Sequence, residues 1–293
     1  DEPLKGCEIP VYLLDSAVLR ETKNIKGAEY TVLTHSYLDV HDQISTRKVL
    51  IKQSIAADSK AIQDIHTRMR AAISLDNQDQ LEKVDQDLSG TGEEGIGNYI
   101  AKMLSESKAK AKLTLRILLN QARAHNLEPQ HLIVGNLPWV DWRNLPPGYR
   151  EHVKQLCIDQ HLFSGDGRTG GNNLNICGLL SNVAGRNWLH DNGSIAVLMP
   201  SNLMFQTSYE GWRNLKIDDD QSMFVQKVVS WERAANPFVG IGQKFNTYVF
   251  TKKEVDYTKG VPFIEMIKKK RTRSWKWLYE RDKGEKWTDV EQY

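Results

Sequence analysis

One stretch near the middle of the chain, HLIVGNLPWVDW at residues 131–142, constrains the fold more than any other. Its apolar run, Leu132 to Val134, stops abruptly at a glycine and an asparagine, which a proline and a tryptophan soon follow. Such a run is typical of a buried strand that delivers a loop to the edge of a sheet. Ligands of open α/β sheets bind at the carboxyl ends of the strands. We therefore expect residues 136–139 to lie where chemistry takes place.

The composition is that of an ordinary globular chain. Hydrophobic residues make up 40% and charged residues 26% of the 293 residues, and the net charge of +2 does not by itself imply a polyanionic partner. No apolar run approaches the roughly 20 residues that cross a bilayer, and no signal peptide is visible. We expect no association with a membrane.

Cysteines and histidines show no metal-binding pattern. The three cysteines, at positions 7, 157 and 177, are widely spaced and odd in number, and the eight histidines lack metal-ligand spacing. The cysteines favour a reducing cytoplasm and offer neither a disulfide framework nor a zinc site. We expect a cytoplasmic protein without a bound metal ion.

The first predicted strand begins almost at residue 1. The sequence IPVYLL, residues 9–14, is typical of a strand, and Asp15 follows it. A parallel α/β domain rarely starts with a strand that already presents a carboxylate to the ligand edge. We therefore interpret the chain as a fragment of a longer protein.

The region 30–128 is predicted to be a mainly helical insertion. Apolar residues, Ile51 among them, recur at roughly helical spacing from Ser45 to about Leu75, and again from Asn98 to about His125. The second set predicts one long helix whose apolar stripe packs against a core or a partner.

Strands and helices alternate in the second half of the chain. After the strand at 131–135, a helix is predicted to begin near Pro147, because proline is favoured in the first turn. Another helix is predicted over 174–190 with Gly193 as its stop signal, followed by a strand at 194–200.

The glycine-rich segment 164–173 lacks the preceding strand and the Gly-Lys-Ser/Thr ending of a phosphate-binding loop, so it is predicted to be a surface loop. Two closing strands are predicted within 223–231 and 245–253. The predicted fold class is α/β, with a mostly parallel sheet, an antiparallel edge and a helical insertion.

Three strand ends, in chain order PVYLLDS, VGNLPWVDW and GSIAVLMPSNL, carry a resemblance to a known family. Together they resemble the adenine-N6 DNA methyltransferases of bacterial restriction-modification and phage-defence systems, and more narrowly the large enzymes in which methylase and specificity parts are fused. The family hallmark is Asn-Pro-Pro-Tyr/Phe/Trp at a strand end, often followed by a stretch like VDWRNLPPGYRE. The resemblance covers roughly residues 9–20 and 129–253.

The resemblance implies a Rossmann-like class I methyltransferase sheet and a division of the chain into four parts. Residues 1–29 would start the core with the family's third strand, and 30–128 would be the insertion. Residues 129–255 would hold the catalytic core. Residues 256–293, a basic and aromatic tail, would begin a target-recognition region, although a charge run of this kind also suits a solvated helix face.

The resemblance assigns catalysis to Asn136, Leu137, Pro138 and Trp139. An adenine amino group is a poor nucleophile because its lone pair is delocalised into the ring. The Asn136 side-chain oxygen and the Leu137 carbonyl would accept its two N–H bonds, and Trp139 would stack on a base flipped out of the duplex. Without their flanks, Asn136 and Trp139 are equally typical of a turn residue and a core aromatic.

The resemblance also implies a methyl donor and partners. The donor would be S-adenosylmethionine, with Asp15 accepting from the amino group of its adenine and the main binding loop lying outside this chain. Tyr209 is the candidate for a second stacking residue and Phe205 the fallback, with a core role open for either. The implied partners are double-stranded DNA and a specificity or restriction part of the same protein or complex.

Two departures from the family pattern keep other functions open. Position 137 is leucine, so the loop lacks the fixed φ of a proline, and no glycine-containing cofactor loop precedes Asp15. Both departures favour a catalytically inactive methyltransferase-fold module that binds DNA or a subunit. A third hypothesis is a methyltransferase of the same fold that acts on RNA bases or on a glutamine amide.

Overall fold

The chain divides into two compact units, unit 1 (residues 1–128) and unit 2 (residues 129–293). The predicted strand at 9–14, Asp15, the segment 164–173 and all but two residues of 268–287 lie outside the described residues. The structure, a computed structural model, describes residues 17–38, 44–88, 95–163, 174–231, 238, 242–267 and 279–280.

Unit 1 contains an antiparallel sheet of three strands in chain order, β1 (Glu21–Ile25), β2 (Ala28–Leu38) and β3 (Ile44–Lys52). Lys26 and Gly27 join β1 to β2 with φ angles of 51° and 85°. Two positive φ angles match the right-handed twist of the paired strands, and glycine adopts such an angle without strain.

Helices form the rest of the described part of unit 1. Asp58 caps α2, since its side chain accepts from the backbone N–H of Lys60 and Ala61. The apolar faces of the helices share one core with the inner face of the sheet, including Ile62, Met69 and Leu118. The helices are α1 (Gln53–Ala56), α2 (Ser59–Ser74), α3 (Gln78–Leu88), α4 (Ile96–Glu106) and α5 (Lys108–His125).

Two expectations for unit 1 require correction. Ile51, assigned by its spacing to a helix, lies in β3 opposite Thr31, and the sheet rather than a helical stripe buries it. The long helix expected over 98–125 is two helices, because Ser107 is extended at φ −167° and ψ 134°. The Ser107 hydroxyl accepts from the Ala109 N–H at 3.2 Å and thereby caps α5.

One histidine of unit 1 is buried without a hydrogen-bond partner. The polar side chains near it in the sequence do have partners. The backbone N–H of Thr34 donates to Gln121 Oε1 at 2.8 Å, and Gln53 Nε2 donates to Asn126 Oδ1 at 2.8 Å. His125, at the end of α5, is 0% exposed, and neither ring nitrogen has a partner among the described residues. Burial, with a smaller contribution from Arg20, lowers the pKa of His125 to about 4.

Unit 2 is built on a six-stranded mixed sheet in the order β4-β5-β7-β6-β8-β9. Strands β4, β5, β6 and β8 run in one direction, and β7 and β9 run in the other. The predicted α/β fold class with a mostly parallel sheet is confirmed. The strands are β4 (Gln130–Asn136), β5 (Leu189–Pro200), β6 (Phe224–Trp231), β7 (Phe245–Thr251), β8 (Phe263–Ile267) and β9 (Tyr279–Glu280).

The closing pair of strands forms as expected, but its place in the sheet differs. β6 and β7 pair with each other in antiparallel fashion, and β7 also pairs with β5, so the pair lies inside the sheet. The described antiparallel edge is the short strand β9. Local patterns specify that a segment is a strand, whereas its position depends on packing between distant segments.

The described part of unit 2 also contains three α-helices: α6 (Pro147–Asp159), α7 (Ile176–Trp188) and α8 (Glu210–Arg213). The predicted start at Pro147 is confirmed. Gly193 is not the stop signal of a helix, because β5 already begins at Leu189. A Cβ on Gly193 would lie 2.8 Å from the carbonyl oxygen of Gln130, so glycine permits the close approach of β5 to β4.

The helices cover one face of this sheet. Trp212 of α8 contacts the rings of Tyr248 and Phe250, and its indole N–H donates to Ser181 Oγ of α7 at 3.3 Å. On the opposite face, Leu132 and Val134 of β4 are 64% and 70% exposed. Among the described strands, β4 pairs only with β5, so it is the second edge of the sheet.

The described residues contain no helix that is both long and apolar enough to cross a membrane. Within the same residues, no three histidine, cysteine or acidic side chains cluster so that they could hold a metal ion. Cys157 and Cys177 are buried free thiols, and burial raises the pKa of both.

Candidate active site

Two parallel strands end at the same edge of the sheet in unit 2. β4 ends at Asn136, which lies opposite Leu198 of β5, and β5 ends two residues later at Pro200. The loops that leave these strands, residues 137–146 and 201–209, therefore start side by side. This is the edge at which α/β sheets bind their ligands.

Asn136 presents an exposed side-chain amide at this edge. Its side chain is exposed and makes no hydrogen bond with any described residue. The backbone carbonyl of Leu137 likewise has no partner in the part of the chain that the structure describes. Two hydrogen-bond acceptors of neighbouring residues are thus without a partner among the described residues.

The side chain of Leu137 turns back towards the strand that precedes it. Leu137 is half-buried, and its Cδ2 lies 3.8 Å from the point where a Cβ on Gly135 would sit. Val197 Cγ1 lies at the same distance from that point. Packing of an apolar side chain against β4 and β5 limits the freedom that the loop gains by lacking a proline.

Trp139 is anchored to the neighbouring strand. Its indole N–H donates to the carbonyl oxygen of Leu198 at 3.1 Å, and its ring packs against Phe245 with centroids 5.6 Å apart and planes at 37°. The ring is half-buried. It therefore combines a fixed orientation, which suits stacking on a base, with part of the packing expected of a core aromatic.

The start of α7 holds the chain that follows Trp139. The N–H of Ile176 donates to the carbonyl of Val140 at 2.9 Å, and the N–H of Trp142 donates to the carbonyl of Leu174. The side chain of Asn175 donates to Asp141 Oδ1 at 3.1 Å and accepts from the N–H of Cys177. These bonds fix the exit of the loop, so the positions of residues 136–139 are restrained from both ends.

The loop after β5 is also held by side chains from two other elements. The Tyr248 hydroxyl donates to the carbonyl of Pro200 at 3.0 Å, and Arg213 Nη1 donates to the carbonyl of Gln206 at 2.7 Å. Phe205, which lies between these two anchor points, is 59% exposed. Its ring therefore reaches solvent on a short restrained segment.

The two residues predicted to stack on the substrate lie in opposite environments. Tyr209 is 2% exposed, and burial, followed by the charges of Asp141 and Cys177, raises the pKa of its hydroxyl. A ring in this position packs in the core, which is the alternative that the sequence leaves open. Phe205 is therefore the better candidate for contact with a base.

Asn202 is a residue of this edge that the sequence analysis does not single out. Its Nδ2 donates to Gln206 Oε1 at 3.1 Å, whereas its Oδ1 is buried without a hydrogen-bond partner in the described residues. A buried acceptor without a partner is uncommon and calls for an explanation. The sequence feature that could have identified Asn202 is its position two residues after the strand end at Pro200.

The described residues include those predicted to bind the base, and they do not include the residue predicted to bind the methyl donor. Asp15, assigned to S-adenosylmethionine by the resemblance, lies outside the described residues. None of the residues whose placement is described forms a glycine-rich turn after a strand at this edge. The hydrogen-bond acceptors at residues 136 and 137 suit an amino group. The described residues at this edge do not form a binding site for S-adenosylmethionine.

Comparison with known proteins finds similarity only among solved structures; no protein-family model and no curated protein matches the chain. The fold is similar to that of a candidate class I S-adenosylmethionine-dependent methyltransferase from Listeria monocytogenes, with a TM-score of 0.34, 15% identity, and coverage of 64% of this chain and 54% of that one.

Two restriction-modification structures are also similar to the chain. One is the ATP-dependent Type ISP restriction-modification enzyme LlaBIII bound to DNA, with a TM-score of 0.32, 12% identity, and coverage of 50% of this chain and 10% of that one. The other is DrdV in its complex with DNA, with a TM-score of 0.34, 12% identity, and coverage of 64% and 20%. The chain thus spans from a tenth to about half of the length of these proteins.

Proposed function

We propose that this chain carries the base-binding part of an enzyme that methylates the N6 amino group of adenine in DNA. The observation that carries the proposal is the pair of unused acceptors, Asn136 Oδ1 and the Leu137 carbonyl, beside the anchored ring of Trp139 at a strand end. The tetrapeptide and its flank resemble the adenine-N6 DNA methyltransferases, which supports adenine in DNA as the substrate.

The arrangement addresses the main chemical difficulty of this reaction. The lone pair of the adenine amino nitrogen is conjugated with the ring. Two acceptors that bind both N–H groups favour a tetrahedral nitrogen, which localises the lone pair outside the ring plane. Because these contacts strengthen as the nitrogen changes geometry, they stabilise the transition state more than the bound substrate.

Aromatic side chains would hold the base while this happens. An adenine inside a duplex is inaccessible, so it must be flipped out at a cost of a few kcal/mol. Stacking on Trp139, with Phe205 on the adjacent loop, would offset this cost, since one base–aromatic stack contributes ~1–3 kcal/mol. S-adenosylmethionine would supply an electrophilic methyl group and leave as S-adenosylhomocysteine, whose sulfur keeps the electron pair of the broken S–C bond. The amino nitrogen would lose a proton to water once the C–N bond has formed.

Product analysis of the full-length protein tests the proposal. We expect transfer of a labelled methyl group from S-adenosylmethionine to duplex DNA, with N6-methyldeoxyadenosine as the labelled nucleoside after digestion. Labelling of cytosine, of RNA or of a glutamine side chain, with DNA adenine unlabelled, would refute it. DNA binding without any methyl transfer would instead support the inactive module, which Leu137 favours.

Replacement of Leu137 by proline tests how the loop is held. Asn136 is the last residue of β4, and the extended backbone of a strand is compatible with a following proline. The N–H of Leu137 has no partner among the described residues, so the substitution removes no described hydrogen bond.

We expect Leu137→Pro to raise single-turnover methyl transfer, by no more than the roughly 10²-fold that a misplaced catalytic group costs. The ~0.4–1 kcal/mol that proline contributes through the unfolded chain should appear in stability and not in this rate. Pro138→Leu, which removes the proline of the tetrapeptide 136–139, serves as the opposite change and should lower the rate. An unchanged rate in both variants would mean that the order of this loop does not limit catalysis.

A further inference from the structure

Helices α2 and α5 of unit 1 lie side by side and antiparallel, with an unusual excess of positive charge. Arg123 Nη2 donates to Gln63 Oε1 at 3.0 Å near one end of the pair, and Lys108 Nζ lies 3.4 Å from Asp76 Oδ2 near the other. The sequences of the two helices, SKAIQDIHTRMRAAIS and KAKAKLTLRILLNQARAH, contain eight lysines and arginines and one carboxylate.

Three arginines converge on the exposed boundary between these helices. Arg70 and Arg116 are exposed and Arg123 is half-buried. All three act on His66, a half-buried ring of α2, and lower its pKa together with the larger effect of burial. The name "arginine seam" is used for Arg70, Arg116 and Arg123 with Gln63 and His66.

The arginine seam has no counter-charge among the described residues. The one carboxylate of the two helices, Asp64, pairs with Arg68, 3.5 Å away on another side of α2. Asp76 and Glu106 pair with Lys108 and Lys110. None of the three seam arginines pairs with a described carboxylate. Repulsion between like charges held together in this way destabilises the free protein, and binding of an anion offsets this repulsion.

We propose that the arginine seam binds the sugar-phosphate backbone of a nucleic acid duplex. The guanidinium fork matches phosphate oxygens in a bidentate geometry, which favours arginine at such contacts. On α5, Arg116 and Arg123 are seven residues apart, or about 10 Å at 1.5 Å per residue, so the row is longer than one free phosphate. A strand of regularly spaced phosphates can contact all three side chains.

The side chains between the arginines agree with this partner. Gln63 and His66 are polar and carry no negative charge, so they add hydrogen-bonding groups suited to phosphate and sugar. The centre of a typical protein–protein interface is instead apolar and depleted in charge. The inference rests on the proposed function only for the choice of DNA as the nucleic acid.

The test measures DNA affinity of the full-length protein against salt concentration, with a duplex of mixed sequence. Each phosphate contact contributes about 0.9 to the slope of log K against log salt. We expect the triple variant Arg70→Gln, Arg116→Gln, Arg123→Gln to lose about 2 to 3 from this slope, and to bind on the order of a hundredfold more weakly near 0.1 M salt.

Arg68→Gln is the matched control for Arg70→Gln. It removes the same charge from the same helix, but the arginine lost is already paired with Asp64. We expect Arg70→Gln to lower the slope by about 1 and Arg68→Gln to leave it unchanged. Thermal melting of all variants, followed by circular dichroism, verifies that they fold.

Several outcomes would overturn the inference. These are a triple variant with the wild-type slope, an equal loss in Arg68→Gln and Arg70→Gln, and binding of polyglutamate that depends on the seam as strongly as DNA binding does. Because binding is measured without methyl transfer, these outcomes are separate from failure of the proposed function. Asn136→Ala should keep the seam-dependent slope whether or not the protein methylates DNA.

Discussion

Replacement of Asn136 by alanine is expected to lower single-turnover methyl transfer about 10²–10³-fold, the typical effect of removing one well-placed polar group that acts in the transition state. The side chain is exposed and forms no hydrogen bond with the described residues, so its removal leaves no buried group without a partner. The loss should therefore appear in kcat and not in folding.

The affinity for DNA separates catalysis from binding in this variant. We expect the gel-shift affinity of Asn136→Ala to stay within a few-fold of wild type, because the amide contributes mainly when the nitrogen becomes tetrahedral. Asn144→Ala is the control, since Asn144 is an exposed asparagine in a later turn of the same loop, away from the strand end. Normal methylation by Asn136→Ala would make the tetrapeptide a simple turn and remove the basis of the proposed function.

Trp139 should behave differently because stacking precedes chemistry. Trp139→Ala is expected to weaken capture of the flipped base as well as transfer, since it removes ~1–3 kcal/mol of stacking. Trp139→Phe keeps an aromatic face but loses the N–H that donates to Leu198, and should fall between wild type and alanine. A base analogue whose fluorescence rises on flipping, placed at the target, measures this step.

Acidification is expected to destabilise unit 1 through His125. Its pKa is about 4 in the folded protein, below the ordinary value of 6.5, so the unfolded chain binds this proton more readily. Stability from the neutral ring is complete above pH 6.5 and is lost as the pH falls towards 4. At 1.36 kcal/mol per pKa unit, the loss reaches roughly 3 kcal/mol.

His125→Leu isolates this contribution. Leucine has a similar volume and removes two buried nitrogens that have no partner among the described residues, so the variant should match or exceed wild type at pH 7 and exceed it clearly at pH 5. Urea unfolding of both proteins at several pH values, followed by far-ultraviolet circular dichroism, gives the difference. Because both proteins share the remaining titrating groups, the subtraction removes their contribution.

The chain provides an internal reference for this experiment. All eight tryptophans follow residue 129, so indole fluorescence reports on unit 2 and the dichroism of helices α2 to α5 reports largely on unit 1. We expect the difference between His125→Leu and wild type in the dichroism transition. A pH dependence that is equal in the two proteins would show that His125 does not titrate as its burial requires.

Local sequence chemistry was sufficient where neighbouring residues decide the structure. The helix start at Pro147 and the strand that ends at Asn136 were both predictable, because proline in a first turn and an apolar run before Gly-Asn act within a few residues. The predicted set of strands and helices in unit 2 was accordingly close to the structure.

Errors arose where the same local signal serves two purposes. Gly193 is as suitable for a helix end as for close strand contact, and only the nearby Gln130 carbonyl, about 60 residues earlier, decides between them. Ser107 interrupts an otherwise continuous helical stripe because its hydroxyl caps α5. A serine at this spacing would fit equally well on the exposed face of an uninterrupted helix. Spacing alone does not distinguish these cases.

The site itself was predictable in part. Residues 136–139 could be proposed from a motif, whereas the opposite environments of Phe205 and Tyr209 depend on how Arg213 and Tyr248 hold the second loop. Asn202 could not be recognised, because the absence of a partner for a buried oxygen is a property of three-dimensional packing. The roles of all these residues remain predictions.

One side of β4 is paired with no described strand, and the loop that holds residues 136–139 leaves from the end of this strand. Edge strands with exposed apolar residues readily pair with another strand. The exposed side chains of Leu132 and Val134 therefore favour such pairing at β4. Asn136 is the last residue of the same strand, so a neighbour that adds backbone hydrogen bonds along β4 also damps the motion of the amide. A strand that pairs with β4 is therefore expected to hold Asn136 in a more fixed orientation as well.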